Sequence, residues 1–74
     1  MKNKFYITYL VSSKLFEDDV SEKTVVVSSD RYLLINEAVE YANSLMESKF
    51  ASYEIISISQ FRENVGDLDY SYTV

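Results

Sequence analysis

Hydrophobic periodicity changes twice along this chain, and each change marks where one kind of element must give way to another. Residues 4–13, KFYITYLVSS, alternate Phe5, Ile7, Tyr9 and Val11 with Tyr6, Thr8 and Leu10. A period of two in aromatic and β-branched types predicts a strand. EKTVVVSSD, residues 22–30, predicts a second strand carried by Val25, Val26 and Val27. The apolar spacing then lengthens to three and four through Ile35, Ala38, Val39, Ala42, Leu45, Met46 and Lys49, which is one face of an α-helix. Ser28, Ser29 and Asp30 carry oxygens that accept unpaired N–H groups at helix starts, and Asn36 is an alternative cap, so the helix is expected from 31 or 35 to 48.

The period of two returns in SYEIISISQFRE, residues 52–63. Tyr53, Ile55, Ser57, Ser59 and Phe61 are expected on one side and Glu54, Ile56, Ile58 and Gln60 on the other. NVGD, residues 64–67, holds the chain's only glycine and predicts a reversal. LDYSYTV would then pair beside the third strand as a short fourth one, with 69–74 either frayed or pairing with a partner.

At 74 residues there is room for one domain, 1–74, with one small core. The element order is ββαβ, or ββαββ with the tail. Strand directions that alternate through a tight hairpin and a helical crossover put the third strand beside the first, antiparallel to it. The expected architecture is an α+β two-layer sandwich, an antiparallel sheet with one helix packed on one face and strand order 2-1-3 or 2-1-3-4. One helix covers one face only. The other face would still show either Tyr6, Leu10, Ile56 and Ile58 or Phe5, Ile7, Ile55 and Phe61, and a contiguous apolar patch of that kind is usually an interaction surface.

The chemistry available is narrow. There is no histidine and no cysteine, so the commonest general base, the thiol nucleophile, the imidazole ligand and the disulfide are absent. A single glycine rules out a Gly-rich phosphate loop. Ser13 and Lys14 in VSSK share a loop, but solvated loop residues are the ordinary reading of such a pair. The acids of KLFEDDVSEK, residues 14–23, lack the spaced ligands and central glycine of a calcium loop. The expectation is therefore no enzyme, no cofactor and no metal. No apolar stretch approaches the roughly 20 residues needed to cross a bilayer, so the expected setting is cytoplasmic, away from membranes.

Charge points to a protein partner. The net charge is −5, and residues 1–31 balance five acids with five bases. Residues 32–74 carry seven acids against Lys49 and Arg62, so the whole excess lies there. No basic stripe exists to neutralise phosphates, so direct nucleic-acid binding is not expected, whereas a protein with a basic surface suits this half. The expected contact residues are Leu15, Phe16, Glu17, Asp18 and Asp19 of the hairpin loop, the helix acids Glu37, Glu40 and Glu47 in one row, and Tyr70 and Tyr72 of the tail. The ordinary readings are a solvated hairpin tip and a solvated helix face; metal binding at the loop and a core position for Phe16 are the other competing ones. The leading expectation is a non-enzymatic protein-binding module, an inhibitor or adaptor that docks its open sheet face, hairpin tip or acidic helix on another protein; small viral or mobile-element inhibitors of nucleic-acid enzymes share this profile, and charge mimicry is one version of it. A homodimer joined through the uncovered sheet face or the edge strand is the alternative.

Overall fold

A computed structural model describes residues 3–74. The elements are β1 (Asn3–Ser12), β2 (Val20–Ser29), α1 (Ile35–Lys49), β3 (Ser52–Ser59), a 3-10 turn (Arg62–Asn64) and β4 (Tyr70–Thr73). They form the expected α+β fold, one helix on a four-stranded sheet. β1 lies between β2 and β3 and is antiparallel to both, so the 2-1-3 order holds. The fourth strand departs from expectation: β4 pairs parallel with β2 at the opposite edge, giving the order β3-β1-β2-β4. The tail is thus a paired strand of this chain's own sheet.

Two crossovers explain that placement. β2 and β3 are both antiparallel to β1 and hence parallel to each other, and α1 carries the chain from one to the other across β1. β3 and β4 are parallel as well, and residues 60–69 carry the chain back in the opposite direction. Parallel crossovers are almost always right-handed. Two of the same hand running in opposite directions must use opposite faces, so α1 takes one face and segment 60–69 the other.

The helix face holds the core. Phe5, Ile7, Tyr9 and Val11 of β1 and Val25 and Val27 of β2 pack against Ala38, Ala42 and Met46 of α1, with Leu33 closing one end. Small alanines on the buried stripe let the helix approach, so the strands supply most of the volume. Neither Ser28, Ser29 nor Asp30 caps α1, because the chain needs residues 30–34 to climb from the sheet to the helix layer. Ser29 Oγ instead accepts from the Arg31 N–H at 3.2 Å. The helix starts at Ile35 behind Leu34, which has no side-chain acceptor, and Glu37 Oε1 reaches back to the Leu34 N–H at 3.3 Å. Half of a capping box therefore serves as the whole.

β3 shifts phase midway. Ser57 pairs with Thr8 and Ile55 with Tyr9, leaving Ile56 as a β-bulge. Opposed residues of antiparallel strands share a face. Tyr53, Ile55 and Ile58 therefore all lie on the helix face with Val11, Tyr9 and Ile7, and Ser52, Glu54, Ser57 and Ser59 lie on the far face. Strict alternation had divided these residues differently. Gly66 lies in the crossing segment without a positive φ, and a Cβ there would meet nothing within 4 Å. The reversal expected at 64–67 is an extended traverse.

Candidate functional site

The far face was expected to be open, and the fold closes part of it. Segment 60–69 leaves from beside Ser59, the partner of Tyr6, and arrives beside Thr24. There the Asp69 N–H donates to the Thr24 carbonyl at 2.9 Å, and the Thr24 N–H donates to Asp69 Oδ2 at 2.9 Å. On the far face between those two points the cross-strand pair Tyr6–Val26 is only 6% and 8% exposed, as a segment crossing over it would leave it. The hairpin end of the same face stays open, and Leu10, Ser12, Val20, Ser52 and Glu54 border a shallow cleft there. Between strap and strands, Thr8, Thr24, Ile56 and Ser57 face Asn64, Asp67 and Asp69 across a polar cleft.

The hairpin loop stands clear of the core. Ser13 organises it: its Oγ accepts from the N–H groups of Leu15 at 3.1 Å and Phe16 at 3.3 Å, and its own N–H donates to the Asp19 carbonyl at 3.2 Å. The Asp19 N–H closes a turn onto the Phe16 carbonyl at 2.9 Å. With the backbone folded on itself, the side chains point out, leaving Leu15 85% and Phe16 68% exposed. The core position considered for Phe16 is not the one adopted. Lys14 Nζ donates to the Ser48 carbonyl at 3.1 Å, a cation on the last helical carbonyls, and so docks the tip against the C-terminal turn of α1. Ser13 and Lys14 thereby have structural tasks.

The Lys14–Ser48 bond links loop to helix; Glu17, Asp18 and Asp19 lie on the loop, and Glu37, Glu40 and Glu47 lie on the exposed side of α1. All six are exposed. Glu37 spends one oxygen on the helix start. Among the described residues no group of three or more acids is gathered closely enough to hold a metal ion. Tyr70 and Tyr72 lie elsewhere: they are half-buried and pack inward on α1. Tyr72 stacks on Tyr41 with centroids 5.2 Å apart, Tyr70 meets Phe50 edge-on at 6.4 Å, and Lys49 Nζ sits 5.1 Å from the Tyr70 ring centre.

Tyr9 is the one buried titratable group whose environment is unusual. Its hydroxyl donates to Asn43 Oδ1 at 2.5 Å and its ring meets Tyr53 edge-on at 6.0 Å. Burial, reinforced by the neighbouring Tyr53, pushes its pKa up to about 12. The phenol is therefore a neutral donor that ties helix to sheet, with no base nearby to activate it. Sequence reasoning missed Ser13, Asn43, Asp69 and the bulge. Only the bulge left a signal, the adjacent Ile55 and Ile56 that interrupt the alternation.

Among the described residues no helix is long and apolar enough to cross a membrane. Compared with known proteins, the chain matches no family model, no curated protein and no solved structure.

Proposed function

We propose that the chain is a non-enzymatic protein-binding module of the cytoplasm, an inhibitor or adaptor that docks its hairpin tip on a basic surface of another protein. The observation that carries the reading is the tip itself: Leu15 and Phe16 held outward by a hydrogen-bonded turn and followed by the exposed acids Glu17, Asp18 and Asp19. An exposed aromatic beside steering charges is the composition of an interface hot spot.

Magnitude decides between hook and mimic. Ten residues of helix separate Glu37 from Glu47, about 15 Å at the helical rise. Duplex DNA carries roughly nine phosphate charges over that length, and the helix row carries three. The acids are too sparse to replace a nucleic-acid backbone and dense enough to orient an approach. A homodimer through the far face draws less support, because Tyr6 and Val26 are already covered by the chain itself.

The test is displacement of a fluorescent duplex from a panel of basic nucleic-acid-binding proteins. Phe16→Ala should weaken displacement by about thirtyfold, equivalent to roughly 2 kcal/mol, without loss of thermal stability. Reversing Glu37, Glu40 and Glu47 together should slow association by about tenfold or more and change dissociation little. A wild-type chain that displaces nothing, or a Phe16→Ala variant that competes equally well, would overturn the reading.

A further inference from the structure

β3 is the long unpaired edge of this sheet. The outer strands are β3 and β4, and β4 offers four residues against eight. Natural sheets blunt such edges with proline, lysine, inward charges or shortness. β3 reads SYEIISIS, with no proline and no base, and Glu54 is its only charge. Ile56 and Ile58 remain 47% and 37% exposed, and Phe61 just beyond is 61% exposed. A bulge also blunts an edge, but here it sits at the strand's midpoint.

The order of residue types indicates what fits this edge. Written as polar or apolar, β3 is p-a-p-a-a-p-a-p, the same pattern read from either end about the Ile55–Ile56 bond. Set two copies antiparallel about a two-fold axis at that bond. Ser52 then faces the second copy's Ser59, Tyr53 faces its Ile58, Glu54 its Ser57 and Ile55 its Ile56.

In an unbroken strand this register would fail, because residues an odd number apart point to opposite faces. The bulge at Ile56 removes the conflict for the three outer pairs, while at the centre Ile55 lies on the helix face and Ile56 borders the far-face cleft. Tyr53 and Ile58 share the helix face, while Ser52, Glu54, Ser57 and Ser59 share the far face. The same register puts the second copy's Tyr53 over the apolar cleft formed by Phe5, Ile35, Ile58 and Phe61. The lone Glu54 meets a serine and never its own copy.

We propose that the chain forms a homodimer by antiparallel pairing of β3 with β3 of a second copy in this register. The product is one continuous eight-stranded sheet with both helices on the same side. Two acidic helix rows then face one direction, and both hairpin tips remain free.

Sedimentation equilibrium from micromolar to millimolar concentrations should approach twice the 8.6 kDa of one chain. Ser57 is exposed but borders the cleft under the strap with Asp67 and Asp69, so the melting temperature of each variant's monomer is measured beside its dimerisation. Ser57→Glu opposes Glu54 at two symmetric places and should weaken the dimer by about two- to thirtyfold, and Ser57→Lys should strengthen it by a similar factor. Combining Glu54→Lys with Ser57→Glu should restore pairing. A single-chain mass throughout the range, or a dimer on which the two Ser57 variants act alike, overturns the proposal.

Discussion

At the scale of single residues, a few polar groups join elements far apart in the chain, and Tyr9 is the deepest of them. Tyr9 belongs to β1, yet its hydroxyl is bonded to Asn43 of α1, and no other side-chain hydrogen bond among the described residues joins sheet core to helix. Its pKa, about 12 when folded against the ordinary 10.0, makes a pH prediction with a definite sign. The folded state holds the proton more tightly than the unfolded chain does. Its contribution is complete below pH 10 and is lost as pH rises towards about 12. Alkaline titration followed by circular dichroism should show unfolding in that window. Tyr9→Phe should cost about 1 kcal/mol at neutral pH through the lost hydrogen bond and flatten the alkaline transition. An unchanged transition in the variant would assign it to other tyrosines.

At the scale of elements, the strap from Gln60 to β4 decides how much of the sheet is covered. It is anchored by the paired Asp69–Thr24 hydrogen bonds and by the inward packing of Tyr70 and Tyr72. Asp69→Ala removes the acceptor for the buried Thr24 N–H and should cost about 1–3 kcal/mol. Hydrogen exchange should show protection falling first in Tyr70–Thr73, with the β1–β2 hairpin less affected. Equal loss in the hairpin would mean that strap and sheet open as one unit. The same element shows where sequence reading stops. Tyr70 and Tyr72 are legible as a strand pattern, but residue types cannot say which of two edges a four-residue strand will join.

At the scale of the whole molecule, charge sets opposite salt responses for the two proposed contacts. A basic partner is attracted to a chain of net charge −5, whereas a second copy is repelled by it. Raising ionic strength from about 0.01 M to 1 M shortens the screening length from roughly 30 Å to 3 Å. Binding to a basic partner should therefore weaken with added salt, mainly through slower association. Self-association should strengthen over the same range, because the contact itself is apolar and hydrogen-bonded. Stopped-flow kinetics and sedimentation on one salt series would check both, and two responses of the same sign would contradict the charge argument.

The sequence by itself determined the element types, their order, the 2-1-3 core of the sheet and the acidic character of the second half. Those follow from local periodicity, from the strand directions that a hairpin and a helical crossover impose, and from counting charges. Only the tertiary structure decided that residues 60–69 return over the far face, that Tyr6 and Val26 are closed from solvent, and that Lys14 sets the hairpin tip against α1. The direction of that return depends on which face the helix already occupies. Crossover handedness and competition for one face act between elements far apart in the chain, where spacing along the sequence carries no information.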